Sequence, residues 1–200
     1  MRAVASGRFV LPAVVLNAAV QSVLVVPVAA GGFTPLFVLG AIVSGLVMLA
    51  TYAVVVATSV DADGRALGDL LRSRVVAFSV WTVALAIAAL IGLLLPTGIL
   101  GYLVLLAGVY LPIAAMSGAR NPLTASFSAI GARPLAYALR ALITVLMAVV
   151  VFLTSALLSF FVTGWIASAI AMLVIGLVVW WLTRMWARAF AKAGASRSHA

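Results

Sequence analysis

Long apolar segments alternate with short polar ones along the whole chain. A helix needs roughly 20 consecutive apolar residues to cross about 30 Å of hydrocarbon, and six segments of this sequence satisfy that requirement. They cover approximately residues 9–29, 35–59, 75–95, 98–117, 137–162 and 165–187. The pattern therefore predicts an all-α, polytopic membrane helix bundle with six transmembrane helices in a single domain over residues 1–200.

The connections between the predicted spans are of two kinds. Short uncharged connections, rich in Gly and Pro, occupy 31–35, 95–98 and 162–165. Because clusters of these residues mark turns, each predicts a tight hairpin, so the six spans form three hairpins. The intervening connections are longer and carry the charged residues.

Composition and charge fix the expected orientation. Hydrophobic residues make up 67% of the chain and charged residues 8%, against roughly 45–50% and about 25% in ordinary soluble domains. All 12 basic residues lie at the amino end, in the longer connections, at the ends of spans next to those connections or the tail, or in the tail itself, and all of these places are on one side if the spans alternate. The positive-inside rule places that side in the cytoplasm, so we expect a cell-membrane protein with both ends cytoplasmic.

The net charge of +9 is explained better by lipid than by nucleic acid, because the basic residues border apolar spans. Basic residues next to a span contact anionic lipid heads. The side chains predicted to contact lipid heads or a partner protein are Arg65, Arg72, Arg74, Arg120, Arg133, Arg140, Arg184, Arg188 and Lys192. The last three recur every four residues near Trp180, Trp181 and Trp186, which favours an aromatic and basic membrane anchor over a dedicated partner site.

The amino end has a second interpretation. Arg2, Arg8, an apolar run and the small residues at 28–30 also fit a secretory signal with a cleavage site. Cleavage would leave five spans, with the orientation of the others unchanged. The six-span interpretation is favoured because the run is longer than a signal core and contains Asn17 and Gln21.

Two short amphipathic helices are predicted in the cytoplasmic connections, lying in the membrane surface. The first covers 61–74, where leucines recur at helical spacing. In the second, Asn121 can cap the helix, Pro122 suits its first turn and Gly131 can end it, after which Pro134 opens the fifth span. The apolar face of the second helix consists of Leu123, Phe127 and Ile130.

Candidate chemistry inside the membrane is sparse. Ionisable residues within spans are the usual pointer to function, yet no Asp, Glu, Lys or His lies inside a predicted span, and the chain has no Cys. We therefore expect a non-enzymatic protein without cofactor or metal. Asn17 and Gln21, four residues apart, form either a contact to a substrate or lipid head, or hydrogen bonds between helices, and the second is favoured.

Small residues spaced by four predict close approach of helix backbones. These residues are Gly40 and Ser44; Ala84, Ala88 and Gly92; and Gly164 and Ser168.

The region 111–133 resembles the membrane domain that is fused to some bacterial glycerophosphodiester phosphodiesterases, and its stand-alone relatives. A span ends in Leu111 and Pro112, a linker of small residues follows, and Pro122 and Leu123 open a serine-containing surface helix. The segment from Gly64 to Arg72 is similar to the earlier lead of that domain. The resemblance implies a non-catalytic membrane module. Our leading hypothesis for its function is that it scaffolds a partner or organises lipid.

The match departs from that family at 118–120, which reads Gly-Ala-Arg where an acid usually precedes the Pro-Leu element. No functional residue carries over. A second resemblance is to ABC exporter permeases, which also have six spans and a surface helix that couples to an ATPase, and residues 61–74 are similar to that helix. The alternative function is therefore that of a transport subunit with an ATPase or membrane partner, either an ABC-type exporter permease or a substrate-binding membrane subunit.

Overall fold

The computed structural model describes residues 3–28, 34–60, 67–96, 98–161 and 164–195. Within these ranges the regular structure consists of eight α-helices and no strand, so the all-α fold class is confirmed. The helices are α1 Ala3–Val28, α2 Pro35–Val60, α3 Leu67–Leu94, α4 Ile99–Ala107, α5 Tyr110–Ser117, α6 Pro122–Ala132, α7 Pro134–Phe161 and α8 Trp165–Ala195.

Five of the described helical segments are long and apolar enough to cross a membrane, which fits a multi-pass membrane protein. They are Pro35–Val60, Leu67–Leu94, Ile99–Ser117, Pro134–Leu158 and Trp165–Gly194. A shorter apolar segment, Arg8–Leu24, lies within α1. The sixth span and the orientation of the chain stay predictions.

Glycines with positive φ stand immediately before two helices, at two of the predicted hairpin turns. Gly98 (φ +61°) precedes α4, and Gly164 (φ +80°) precedes α8. Only glycine adopts this left-handed conformation without a steric penalty. Gly164 is therefore a turn residue, and its predicted role as a small residue in a helix–helix contact is wrong.

The predicted surface helix over 61–74 is wrong over its described part. Leu67 to Arg74 form the first two turns of α3, which continues unbroken to Leu94. No proline interrupts this stretch. Gly68 lies in the first turn of α3, where it does not terminate the helix. Residues 61–66, including Arg65, lie outside the described residues. The argument for a separate coupling helix of the ABC exporter kind is lost with this helix.

The second predicted surface segment does form a separate helix, α6. The Asn121 side chain caps it by accepting hydrogen bonds from the backbone N–H groups of Leu123 at 3.1 Å and Thr124 at 3.2 Å. Such capping satisfies donors that the first helical turn leaves without partners. α6 ends at Ala132, and α7 begins at Pro134 as predicted.

The predicted continuous span over 98–117 is broken into α4 and α5. Pro112 has no N–H to donate to the carbonyl of Gly108, and a proline ring crowds the carbonyl four residues before it. The Gly108 carbonyl instead accepts the Leu111 N–H at 2.9 Å, and Val109 N–H donates to the Leu106 carbonyl at 3.2 Å. The helix tightens at this point, and α5 starts afresh at Tyr110.

The chain divides into two compact units. Unit 1 is Met1–Val55 with Thr144–Leu182, and unit 2 is Val56–Ile143 with Thr183–Ala200. In unit 1, Val10, Val14 and Val55 form a buried cluster against Trp180. Gly176 of α8 receives the Val14 side chain, since a Cβ at Gly176 would overlap it.

In unit 2, α3 runs antiparallel to α4 and α5 and packs against both. Three close approaches define the register: Gly92 opposite Gly101, Leu85 opposite Gly108, and Arg74 opposite Gly118. α6 packs on α5. This antiparallel arrangement brings the start of α3 to the end of α5.

Candidate functional site

The basic side chains predicted as contacts are concentrated in unit 2. The eight that the structure describes are Arg72, Arg74, Arg120, Arg133, Arg140, Arg184, Arg188 and Lys192. Asp69 is the one acid among the described residues of this unit, whereas Arg8 is the one charged residue among those of unit 1. The ninth predicted contact, Arg65, lies outside the described residues. Unit 2 therefore presents a strongly positive surface.

Three of these arginines lie near the junction between the start of α3 and the end of α5, and we call Arg72, Arg74 and Arg120 the arginine corner. The Arg74 guanidinium lies against Gly118, where a Cβ would overlap it. Gly118 has φ +84° and ends α5, with its N–H donating to the Ala115 carbonyl at 3.2 Å. A cation here is favourable because the carbonyls at a helix C-terminus carry partial negative charge.

The arginines of the corner differ in exposure. Arg72 and Arg120 are exposed, while Arg74 is partly covered. Arg133, also exposed, follows α6 directly. Exposed guanidinium groups can form paired hydrogen bonds with carboxylate or phosphate oxygens, so this surface suits anionic ligands.

A buried aromatic cluster in unit 2 was not anticipated from the sequence. The ring centroids of Tyr110 and Trp186 are 5.3 Å apart and nearly perpendicular, and Phe190 lies 5.5 Å from Tyr110. Tyr137 contacts Trp186 at 5.3 Å and donates its hydroxyl to the Leu106 carbonyl at 2.6 Å. Edge-on and tilted pairs at these separations are favourable beyond their burial.

This cluster corrects the interpretation of Trp186 as part of an interfacial aromatic belt. Its side chain is only 1% exposed, whereas that of Trp181 is 51% exposed. Trp186 thus anchors the end of α8 within unit 2. Arg184 is partly covered beside it, and Arg188 and Lys192 are exposed further along the helix. The sequence interpretation missed the aromatic partners of Trp186, because they lie far apart in the chain. These partners are Tyr110, Tyr137 and Phe190.

Asn17 and Gln21 are buried in unit 1, on the face of α1 that meets α2. The Gln21 amide donates to the Asn17 side-chain oxygen at 3.4 Å and to the Ser44 carbonyl at 3.2 Å. Ser44 donates its hydroxyl to the Gln21 side-chain oxygen at 2.7 Å. The arrangement is that of hydrogen bonds between two helices, the favoured sequence interpretation.

The predicted small-residue contact on α3 has a partner that the sequence interpretation did not name. A Cβ at Gly92 would lie 2.6 Å from the Gly101 backbone nitrogen, and one at Gly101 would lie 2.6 Å from the Ala89 carbonyl oxygen. The two glycines therefore let α3 and α4 touch backbone to backbone.

Next to this contact, an apolar groove of about 320 Å³ lies between α3, α4–α5 and α6. Among the described residues that line it, Ser126 is the only one with a hydroxyl, carboxyl, amide or charged group. Its hydroxyl already donates to the Pro122 carbonyl at 2.7 Å. Leu123 and Phe127, from the predicted apolar face of α6, form one wall, while Trp81 and Leu85 of α3 form another.

Among the residues that the structure describes, no group of three or more His, Cys, Asp or Glu residues could hold a metal ion. Comparison of the chain with protein-family models, with curated proteins and with solved structures finds no match.

Proposed function

We propose that the chain is a cell-membrane protein with six spans and both ends in the cytoplasm, α1 being the first span. α1 has 26 residues, which at 1.5 Å per residue is about 39 Å. The packing of α1 supports its retention in the mature protein, because Val14 fits against Gly176 and Gln21 forms hydrogen bonds with Ser44. A segment removed during export would leave these partners without their contacts.

Reporter fusions and the mature amino terminus test this topology. A reporter after Gly32 or Gly98 is expected to be external, and one after Arg120 cytoplasmic. Mass spectrometry of the purified protein is expected to find the α1 sequence. A cytoplasmic reporter after Gly32, or a mature start at Gly31, would show that the six-span arrangement is wrong.

We further propose that the protein is a non-enzymatic membrane module that binds and organises anionic lipids through the basic surface of unit 2. One observation carries this proposal: the described part of unit 2 has eight basic side chains and a single acid. Each Lys or Arg near an anionic membrane surface contributes about 1 kcal/mol of attraction, and salt screens this attraction.

The experiment measures lipid preference in nanodiscs, with brominated lipids quenching tryptophan fluorescence. The exposed residues Arg72, Arg120 and Arg133 are changed together to Gln. Three charges at about 1 kcal/mol each set an upper limit of roughly 100-fold on the change in preference. We expect the preference for phosphatidylglycerol over phosphatidylcholine to fall about tenfold, since exposed charges are partly screened.

The matched control changes the same three arginines to Lys, which keeps the charge and is expected to keep most of the preference. The reporter after Arg120 verifies that the Gln variant keeps its orientation. A wild-type protein with equal affinity for both lipids would refute the proposal, as would a Gln variant that binds like the wild type.

A further inference from the structure

We infer that the apolar groove of unit 2 holds one acyl chain of an anionic phospholipid, whose phosphate is bound at the arginine corner by Arg74 with Arg120. The inference rests on the proposed function and deepens it, because it separates a single defined lipid site from general attraction to the basic surface.

The groove has the size and chemistry for an acyl chain. Its volume of about 320 Å³ lies at the lower end of the range of about 300–1,000 Å³ typical of pockets for small molecules. Ser126, its one hydroxyl-bearing residue, uses its proton within α6. An occupant therefore meets mainly carbon surface, which favours an apolar group because burying unpaired polar groups is costly.

The helix break keeps the groove open. The floor between α3 and α4–α5 consists of small residues, Ala84 and Ala88 on one side and Ala107 and Gly108 on the other. A Cβ at Gly108 would overlap the Leu85 side chain in its present position. Because Pro112 interrupts the helix at Gly108, α5 and the attached α6 form a wall beside the floor.

The positive charge of Arg74, which would complement a phospholipid head, lies on the same face of α3 as the groove. Arg74, Trp81, Leu85 and Ala88 are spaced by seven, four and three residues, so they share one face of α3. Arg74 lies about 10 Å along the helix from Trp81, at 1.5 Å per residue. A molecule with a chain in the groove and its head towards the start of α3 thus meets guanidinium groups at that end.

The Arg74 guanidinium is held in place before any ligand arrives. The Arg74 guanidinium rests on Gly118 at the end of α5, and Arg120 follows two residues later, before the capped start of α6. A planar guanidinium matches the oxygens of a phosphate in pairs. An anionic phospholipid satisfies both ends at once, whereas an apolar helix of another protein would leave the arginines without a counter-charge.

Native mass spectrometry of the full chain in mild detergent tests the site, with phosphatidylglycerol and phosphatidylcholine added in equal amounts. We expect one phosphatidylglycerol to stay bound under conditions that remove the other lipids. Ala88→Phe fills the groove and is expected to reduce this retention at least fivefold. Ala86→Phe is the matched control, since Ala86 is exposed on α3 but does not line the groove, and it is expected to retain the lipid.

A second pair of variants tests the head site without adding bulk. Arg74→Gln is expected to lower the preference for phosphatidylglycerol about fivefold, Arg74→Lys to restore part of it, and Arg72→Gln to change it less than twofold. Retention by Ala88→Phe equal to wild type would overturn the inference, as would an unchanged preference in Arg74→Gln. A change in oligomeric state caused by Ala88→Phe, with no loss of lipid, would instead assign the groove to protein contact.

The two proposals fail in different ways. Suppose that the triple Gln variant loses its preference for anionic lipid in nanodiscs while Ala88→Phe still retains its lipid. This result would support lipid binding by the basic surface and refute the groove site. If the wild-type protein prefers neither lipid in either experiment, the proposed function fails, and the groove site fails with it.

Discussion

Gly101→Ala is expected to destabilise unit 2 because it inserts a methyl group between two helix backbones. The new Cβ would lie 2.6 Å from the Ala89 carbonyl oxygen and 2.7 Å from the Leu93 nitrogen. Both are backbone atoms, which cannot rotate away as a side chain can. Ordinary contact begins at about 3.4 Å, so α3 and α4 must move apart by roughly 0.8 Å.

The size of the effect follows from this displacement. A gap of 0.5–1 Å removes about a quarter to a half of the dispersion energy of each atom pair across it. Overpacking of well-packed contacts costs about 1–3 kcal/mol. The better helix propensity of Ala returns at most about 1 kcal/mol, and less near a helix start. We therefore expect a net loss of about 1–2 kcal/mol in the free energy of unfolding.

The measurement is the midpoint of SDS-induced unfolding in mixed micelles, followed by tryptophan fluorescence. Gly45→Ala in α2 is the matched control, because a Cβ at Gly45 meets nothing within 4 Å, and its midpoint is expected to be unchanged or higher. Gly92→Ala acts on the same contact. The double variant is therefore expected to lose less free energy of unfolding than the two single variants lose in sum. If Gly101→Ala proves as stable as the wild type, the backbone contact between α3 and α4 does not exist.

The remaining predictions use the same unfolding assay, with hydrogen exchange where a local effect is expected. Asn121→Ala removes the cap of α6 and is expected to cost about 1 kcal/mol, with faster amide exchange at the start of α6; unchanged exchange there would contradict the capping role. Tyr137→Phe removes the hydrogen bond to the Leu106 carbonyl and is expected to cost about 0.5–1.5 kcal/mol, whereas a neutral result would mean that another donor replaces it. Gln21→Leu breaks the contact with Ser44 and is expected to cost about 0.6 kcal/mol and less than 2 kcal/mol; a larger loss would point to a role beyond joining α1 to α2.

The helical fold class and several helix ends could be predicted because their signals are local. Apolar runs define helices that fit a membrane, Asn121 followed by Pro122 marks the start of α6, and Pro134 marks the start of α7. Each depends on residues within a few positions of one another. The break at Gly108 has a local cause as well, in Pro112, but a proline within an apolar run is also compatible with a continuous, kinked helix.

Features that depend on contacts between distant segments could not be predicted. The surface helix predicted at 61–74, which is wrong over residues 67–74, shows this, because an amphipathic turn next to a span has the same pattern whether it lies flat or continues the span. Trp186 shows it too: a tryptophan near the end of a span is typical of an interface, and only the distant Tyr110 and Tyr137 make it part of a buried cluster.

The distribution of charge between the two units narrows the kind of function the protein can have. In unit 1, hydrogen bonds among Asn17, Gln21 and Ser44 join α1 to α2, and Arg8 is the one charged side chain among its described residues. These bonds hold the two helices together and use both the nitrogen and the oxygen of the Gln21 amide group. In unit 2, by contrast, Arg74 lies on the face of α3 that lines an open apolar groove, and the exposed Arg120 follows the end of α5. Positive charge beside apolar surface matches the two ends of an amphiphile, which is why we propose that unit 2 recognises anionic lipid.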